Sequence, residues 1–252
     1  MTSGPGQYIE GRHPVLEALK SGRAINRILI ARDAGRHGII AEILRLARQG
    51  RIPVETVDAR ALERIGATGH AQGVLALAAA KAYSTLDDLL ERSRSLNEPP
   101  LYVLLDGIED PHNLGAIIRT ANTAGVHGVV VPSRRAAGLT PAVERASAGA
   151  LEYVPVARVA NIHQAMRDLG EHGVWTVGLD ADADRDYNTA DYRLPTALVI
   201  GGEGKGLSRL TRELCDVVVR IPMRGEIASL NASVAGALVM YEAMRQRAGQ
   251  CS

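Results

Sequence analysis

The 252-residue sequence is poor in aromatic residues and in cysteine. It contains no Phe, one Trp and seven Tyr, and its two cysteines are Cys215 and Cys251. A protein that binds single-stranded nucleic acid mainly by stacking bases needs a cluster of aromatic side chains, and the sequence shows none. The two cysteines provide neither a disulfide framework nor metal-ligand spacing. We therefore expect no metal site and a reducing, cytoplasmic location.

Long apolar runs and a secretory leader are also missing. No run approaches the roughly 18 residues that span a bilayer, so we expect no membrane partner. The opening stretch MTSGPGQYIEGRH lacks a basic segment followed by an apolar one, so we expect no secretory signal. The composition, 46% hydrophobic and 23% charged, excludes a disordered or collagen-like chain.

The charged residues are unevenly distributed. The formal net charge is only +1, which by itself argues against a polyanionic partner. Residues 1–80, however, contain 11 Lys and Arg against 7 Asp and Glu, whereas residues 101–252 contain 15 against 17. In the first segment, arginines flank an apolar helical stripe at Arg36, Arg45, Arg48 and Arg51. They indicate either a solvated face or a surface that binds polyanions, and both interpretations stay open.

Residues 1–80 predict a small α/β unit, because β-rich stretches such as INRILIA (25–31) alternate with amphipathic helical patterns. A short acidic helical pattern follows within residues 81–99 and ends near the pair Pro99-Pro100. A proline pair stops a helix and is typical of a connection between domains. We therefore predict a linker over residues 81–99.

Residues 100–252 alternate strand and helix patterns more regularly. Continuous apolar stretches such as LYVLLD (101–106) are typical of strands that are buried on both faces. Helical patterns lie between the strands, and a long one closes the segment from about Leu230 to Arg247. The alternation predicts a parallel sheet with helices on both faces, whose ligands bind beyond the carboxyl ends of the strands.

A first candidate loop runs from Asp106 to Gly115, directly after the strand at 101–106. Asn113 is of a residue type that caps helices, and Arg119 lies close to two turns further along the predicted helix. One interpretation is a capped helix with a surface arginine. The other is that Asn113 and Arg119 face a bound polar or anionic ligand, and the two have equal support.

A second candidate loop is the glycine-rich segment GGEGKG, residues 201–206, which follows a buried strand. Leu207 breaks both phosphate-binding fingerprints, since it replaces the Walker lysine and the third glycine of the dinucleotide motif. Glu203 would also repel phosphate. Four glycines around one carboxylate predict a backbone folded closely around a small ligand, with Glu203 as a hydrogen-bond acceptor. An ordinary tight turn is the alternative.

A third segment, IPMRGEIASLNAS (221–233), precedes the last helix. Ser229 and Asn231 are both good helix N-caps, which explains part of it structurally. The helix that follows has small residues on one side, at Ala235, Gly236 and Ala237. Small residues allow another backbone to approach closely.

Together the three segments resemble the motifs of the SpoU (TrmH-type) RNA ribose 2′-O-methyltransferases of the SPOUT superfamily. The matching stretches, in the family's order and spacing, are NLGAIIRTANTAG, LVIGGEGKGL and IPMRGEIASLNASVAGALVMYE. The N-terminal YIEGRHPVLEAL and GHAQGVLAL resemble the family's substrate-binding domain. The resemblance is greatest to the subgroup that methylates a guanosine ribose in large-subunit (23S) ribosomal RNA. Ala232 stands where the family frequently has valine.

The resemblance implies a C-terminal SPOUT methyltransferase domain over 100–252, with a parallel sheet and a deep trefoil knot. It implies an α/β substrate-binding domain like that of some ribosomal proteins over 1–80. Further implications are S-adenosyl-L-methionine as the cofactor, RNA as the substrate and a homodimer through the C-terminal domain. The implied cofactor residues are Gly201, Gly202, Ile221, Met223, Leu230 and Asn231.

Arg119 matches the family's catalytic arginine, and the resemblance gives Asn113, Glu203, Ser229 and Asn231 the task of positioning it and the substrate. A guanidinium with a pKa above about 12 is a poor base. We therefore expect Arg119 to bind the phosphate next to the target ribose and to stabilise the developing alkoxide. That phosphate, and not Arg119, could then relay the proton. Two other functions stay open, which are a non-catalytic RNA-binding protein of the same fold and the same reaction on transfer RNA.

Overall fold

A computed structural model describes residues 7–35, 37–204 and 206–248. They form two compact units. Unit 1 comprises the described residues up to Ala82 together with Gly138–Tyr153, and unit 2 comprises Tyr83–Ala137 and the described chain from Val154 onward. Arg36, Lys205 and Cys251, which the sequence analysis considered, lie outside the described residues.

Unit 1 is built on a four-stranded mixed sheet in the order β1-β4-β2-β3. Its elements before Ala82 are β1 (Gln7–Glu10), α1 (Arg12–Lys20), β2 (Ile25–Ala31), α2 (Ile39–Gln49), β3 (Val54–Val57), α3 (Ala59–Ile65) and β4 (Val74–Ala78). Helices α1 and α2 share a core with Ile28 and Ile30, whereas α3 shares a core with Leu29. Because successive strand residues point to opposite faces, the helices cover both sides of the sheet. The predicted α/β fold is confirmed.

The segment Gly138–Tyr153 joins unit 1 through buried ion pairs. It contains α6 (Pro141–Ala146) and a short 3-10 helix (Ala150–Glu152). Arg23 donates to Glu144 Oε1 at 3.0 Å and to Glu152 Oε1 at 2.7 Å. Burial raises the pKa of the Glu144 carboxyl group, and the charge of Arg23 opposes that rise. Since an unpaired buried charge is costly, these pairs hold the segment to unit 1, whereas the sequence analysis placed it within 100–252.

Unit 2 is built on a seven-stranded parallel sheet in the order β7-β6-β5-β10-β8-β11-β9. Its strands are β5 (Leu101–Asp106), β6 (Gly128–Pro132), β7 (Val156–Val159), β8 (Trp175–Leu179), β9 (Arg185–Asp186), β10 (Thr196–Gly201) and β11 (Val217–Arg220). Its helices are α4 (Leu86–Leu96), α5 (Pro111–Thr123), α7 (Ile162–Glu171), α8 (Arg209–Leu214) and α9 (Ala232–Ala248). This sheet confirms the predicted parallel architecture. The trefoil knot stays a prediction.

Strand β10 lies at the centre of this sheet and determines which helices face which side. It pairs in parallel with β5 on one edge and with β8 on the other, and all of its residues are buried. Val199 packs in a core with α4 and α7. Ile200 points to the opposite face, where it meets Gly236 of α9. The small side of α9 therefore allows this helix to lie directly against β10.

Helix α4 is an integral part of the core of unit 2. Thr85 and Asp88 form a capping box at its N-terminus, which satisfies two backbone donors at once. Leu89 and Leu90 pack in the same core as Tyr102. This stretch falls within the linker that the Pro99-Pro100 pair predicts over 81–99. The buried leucines instead bind the helix to the sheet.

The start of α5 corrects one predicted cap. Asp110, not Asn113, is the N-cap residue, and its side chain accepts a hydrogen bond from the His112 N–H at 3.0 Å. Pro111 occupies the first helical position, where its fixed φ suits the helix. The N-cap thus lies three residues earlier than predicted, and Asn113 lies inside the first turn of α5 with its side chain available for other partners.

The C-terminal end of α9 is anchored by Arg247. Its guanidinium donates to the carbonyl groups of Pro99, Pro100, Tyr192 and Leu194. Burial lowers the pKa of Arg247 to about 10. Within the described ranges, neither α9 nor any other helix is long and apolar enough to cross a membrane.

The role of α4 predicts the effect of truncating Leu89. Leu89 is 0% exposed, whereas Leu96 in the same helix is 50% exposed. We expect Leu89→Ala to lower the free energy of unfolding by about 2–5 kcal/mol because it leaves a cavity in a packed core. Leu96→Ala should change it by less than about 0.5 kcal/mol. Chemical denaturation of both variants measures the difference, and equal effects would contradict a core role for α4.

Candidate active site

The loop after β10 is shaped by close contacts between backbone segments. A Cβ atom on Gly201 would lie 2.1 Å from the carbonyl group of Gly206, and one on Gly202 would lie 2.4 Å from the carbonyl oxygen of Gly107. The Gly202 N–H donates to the carbonyl group of Asp106 at 2.9 Å. Only glycine fits at both positions. The loops that follow the neighbouring strands β5 and β10 are therefore joined through their main chains.

Asp106 also fixes the far side of this loop. Its Oδ2 atom accepts from the Ser208 N–H at 3.1 Å and from Thr211 Oγ1 at 2.5 Å. Ser208 in turn caps α8 by accepting from the Thr211 N–H. The carboxylate at the end of β5 thus positions the residues that lead out of the glycine loop.

Three predicted site residues from three separate loops are directly hydrogen-bonded to one another. Asn113 Nδ2 donates to Glu203 Oε1 at 2.9 Å, and Asn231 Nδ2 donates to Asn113 Oδ1 at 2.9 Å. Asn231 Nδ2 also donates to Glu203 Oε1. We call Asn113, Glu203 and Asn231 the polar trio. It joins the first turn of α5, the glycine loop and the start of α9.

Asn231 serves both the polar trio and the helix that follows. Its Oδ1 atom accepts from the Ser233 N–H at 3.0 Å and from the Val234 N–H at 3.3 Å, as an N-cap side chain does. The other end of the amide faces Glu203. Of the two predicted caps, Asn231 therefore caps α9, and Ser229 lies in the preceding loop. The orientation of the Asn231 amide is thus determined on both sides.

Beside the polar trio lies a cavity of about 290 Å³, close to the lower end of the usual range for small-molecule sites. Seven predicted residues line it, which are Gly201, Gly202, Glu203, Ile221, Met223, Ser229 and Leu230. Leu179, Ala181 and two carboxylates, Asp180 and Asp182, also line it and were not predicted. They lie at the end of β8, the neighbour of β10, and in the loop after it. Their position at the carboxyl end of a predicted strand could have marked them as candidates. That position becomes informative only once the strand order places β8 beside β10.

Arg119 lies outside this network. It is exposed on α5 and forms no side-chain hydrogen bond or ion pair among the described residues. Six residues separate it from Asn113, which at 100° per residue places the two on different sides of the helix. Its neighbour one turn later, Thr123, accepts a hydrogen bond from Tyr241 of α9 at 3.2 Å. The structure therefore brings the polar trio together and leaves Arg119 available on the α5 surface beside α9.

Two family profiles together match most of the chain. The profile of the SpoU rRNA Methylase family matches residues 100–241, and the profile named RNA 2′-O ribose methyltransferase substrate binding matches residues 8–84. The chain belongs to the SpoU methylase family. Among the described residues, no group of three or more His, Cys, Asp or Glu side chains could hold a metal ion.

Individual relatives cover almost the whole chain. YacO of Bacillus subtilis (strain 168), whose name assigns it to the TrmH family of tRNA/rRNA methyltransferases, is 45% identical over 240 residues, or 95% of this chain and 96% of its own. The SpoU methyltransferase AviRb of Streptomyces viridochromogenes, solved with AdoMet, is 31% identical with a TM-score of 0.81 and covers 97% of this chain and 92% of its own. An AdoMet-bound rRNA methyltransferase of Sinorhizobium meliloti is 28% identical with a TM-score of 0.77. The match covers 96% of this chain and 87% of that protein's chain.

The close backbone contact at Gly201 predicts the effect of a single added methyl group. We expect Gly201→Ala to weaken binding of S-adenosylmethionine, the ligand of the AviRb complex, at least about tenfold. The new Cβ would displace the Gly206 carbonyl and with it the cavity wall. Gly170→Ala in α7 is the control, because its Cβ would meet nothing within 4 Å. Isothermal titration, with a melting curve to check folding, measures both variants; equal affinities would contradict this view of the loop.

Proposed function

We propose that this chain transfers a methyl group from S-adenosylmethionine to the 2′-hydroxyl group of a ribose in RNA, and that the target is a guanosine of large-subunit (23S) ribosomal RNA. The observation that supports the proposal most directly is the polar trio beside the cavity, because Glu203 belongs to both. The match to a 2′-O ribose methyltransferase substrate-binding profile over residues 8–84 supports the ribose target. A cytoplasmic location is part of the same proposal.

The cavity lining fits the cofactor chemically. Ile221, Met223 and Leu230 provide apolar contact, and the glycines at 201 and 202 expose backbone groups. Three carboxylates at the lining, Asp180, Asp182 and Glu203, favour a ligand that contains cationic groups. When bound, S-adenosylmethionine supplies a methyl group already activated on a sulfonium centre.

The chain's own residues must then align the ribose and manage one proton. Glu203 Oε1 accepts from both asparagines, whereas its Oε2 atom has no hydrogen-bond partner in the described part of the chain. That oxygen is the acceptor we assign to the substrate, with Ser229 on the same cavity wall. Holding the reacting atoms in line converts binding energy into rate. The two asparagines hold the Glu203 side chain in place while its Oε2 atom accepts a hydrogen bond from the substrate.

Arg119 has the charge that the reaction needs. An arginine that no carboxylate neutralises can bind the phosphate next to the target ribose and stabilise negative charge on the 2′-oxygen. The proton leaves the hydroxyl group through that phosphate or through solvent, because a guanidinium group is a poor base. Arg119 and Glu203, which contact the substrate, are therefore the proposed catalytic residues, and Asn113 and Asn231 are positioning residues.

Transfer of tritium from methyl-labelled cofactor to protein-free ribosomal RNA and to transfer RNA tests this function. We expect label in the large-subunit RNA, resistant to alkali as a 2′-O-methyl group is. Mapping of ribose methylation in a deletion strain then identifies the nucleotide. Label in transfer RNA alone would support the alternative substrate, and the absence of label from every RNA would support a non-catalytic RNA-binding protein.

Replacing Arg119 tests its role. We expect Arg119→Ala to lower the methyl-transfer rate by at least about 10²-fold, because charge that develops in the transition state loses its stabilising group. Cofactor affinity should be unchanged, since Arg119 does not line the cavity. Arg167→Ala on α7 serves as the matched control. An Arg119→Ala enzyme with wild-type turnover would rule out the catalytic role.

We also propose that two copies of the chain associate through α9. This helix has apolar residues on all sides, which is typical of a helix buried all round. Four of them, spaced three to four residues apart on one side, are more than a third exposed and form what we call the α9 stripe: Val234, Leu238, Tyr241 and Met244. A second copy presents an identical stripe, so a two-fold arrangement is self-complementary. Arg119 lies beside this stripe.

A charge within the α9 stripe should prevent this association. We expect Leu238→Asp to convert a dimer into a monomer, because a buried, unpaired carboxylate costs several kcal/mol. Leu210→Asp on α8 is the control, since Leu210 is similarly exposed, at 47% against 40%. Sedimentation velocity measures both. A monomeric wild-type protein, or a Leu238→Asp protein that stays dimeric, would refute the proposed interface.

A further inference from the structure

The carboxyl edge of the seven-stranded sheet has opposite charge at its two ends. Residues 180–186, which run from the end of β8 through β9, contain four Asp and one Arg. At the other end, residues 133–137 after β6 and residues 156–161 of β7 and its loop contain three Arg and no acidic residue. Strands lie about 4.8 Å apart, so β6 and β7 are three and four spacings from β8, about 15–20 Å. The polar trio lies between the two ends, at the first turn of α5 after β5, in the glycine loop after β10 and at the start of α9.

The arginines at the two ends differ in their partners. At the acidic end, Arg220 lies 3.1 Å from Asp186 and Arg212 lies 3.6 Å from Asp180. At the basic end, Arg134, Arg135 and Arg158 have no carboxylate within 4 Å among the described residues, and all three are exposed. No carboxylate in the described part of the chain therefore neutralises their charge. We call these three residues the arginine cluster.

The arginine cluster is held in place by its surroundings. The guanidinium of Arg158 lies 5.1 Å from the centre of the Tyr83 ring and donates to the carbonyl oxygen of Ser133 at 3.3 Å. One of its five donors is therefore used, and four remain. At the other end of the loop after β6, the Ala137 N–H donates to the carbonyl of Ile108 at 2.9 Å. Ile108 belongs to the loop that leads from β5 to the polar trio, so the two loops are fixed side by side.

Arg135 adds a conformational observation. Its φ angle is +57°, in the left-handed region that few residues other than glycine, Asn and Asp adopt. A strained backbone angle persists only where the surrounding structure maintains it, and such angles are concentrated at binding sites. The contacts at Ser133 and Ala137 provide that support on both sides of Arg135.

We propose that the arginine cluster binds backbone phosphates of the RNA that flank the target nucleotide, so that the RNA strand leaves the polar trio across the ends of β6 and β7. The inference rests on the proposed function and specifies its substrate contacts. The cationic cofactor occupies the acidic half of the edge, and the polyanion occupies the basic half. Each ligand then meets charge of the opposite sign, and the strand is kept away from residues 180–186.

Salt-dependent RNA binding by full-length variants tests this inference. The probe is protein-free large-subunit ribosomal RNA, with binding measured between about 50 and 200 mM salt. Each lost phosphate contact should lower the slope of log affinity against log salt by about 0.7 and weaken binding about threefold at the upper salt concentration. For Arg134→Gln/Arg135→Gln we therefore expect a slope smaller by about 1.4 and an affinity about tenfold lower. The KM for RNA should rise by the same factor, while kcat at saturating RNA and cofactor affinity stay at the wild-type values.

A matched double variant controls for total charge. Arg193→Gln/Arg209→Gln removes two exposed arginines that are paired with Asp191 and Glu213, so the slope and affinity should stay close to wild type. Arg158→Gln should behave as a single lost contact. If the Arg134/Arg135 variant binds with the wild-type slope while the wild-type enzyme methylates RNA, the inference fails and the proposed function stands. If the wild-type enzyme methylates no RNA, the proposed function itself fails.

Discussion

The contact between main chains at Gly201 and Gly202 is the constraint on which the site depends. At Gly202 the glycine loop meets the carbonyl group of Gly107 in the loop after β5, and at Gly201 it folds back on its own Gly206, so neither glycine has room for a Cβ atom. This approach brings the loop of Glu203 beside the first turn of α5, where Asn113 can reach the carboxylate. Asn231 then closes the trio from α9. The side-chain geometry of the site is therefore a consequence of backbone packing at the edge of the sheet, and it does not require long or flexible side chains.

Much of the fold could be predicted from local patterns, because apolar periodicity directly reflects burial. The limits of β2 (Ile25–Ala31) and β5 (Leu101–Asp106) agree with the predicted ones to the residue. Features that depend on distant residues were missed. The segment Gly138–Tyr153 joins unit 1 through Arg23, more than 100 positions earlier in the chain, and no local pattern indicates that pairing. The leucines of α4 are buried for the same kind of reason.

The site residues show the same division between local and long-range information. Asn113, Glu203 and Asn231 could be selected because they lie in the three segments that resemble the family motifs. Their mutual hydrogen bonds could not be predicted from loops that lie up to 118 positions apart. Asn113 was also predicted as a cap, and the structure gives that role to Asp110. Asp180 and Asp182 became recognisable only when the order of the strands placed β8 next to β10.

Helix α9 connects the polar trio, the exposed α9 stripe and its own anchored C-terminal end. Asn231 at its first turn holds Glu203, its exposed side is the α9 stripe, and Arg247 near its end is bonded to four carbonyl groups. The proposed association at the stripe and cofactor binding at the cavity therefore involve the same helix. By thermodynamic linkage, any factor by which association changes the affinity for the cofactor is also the factor by which the cofactor changes the affinity of association.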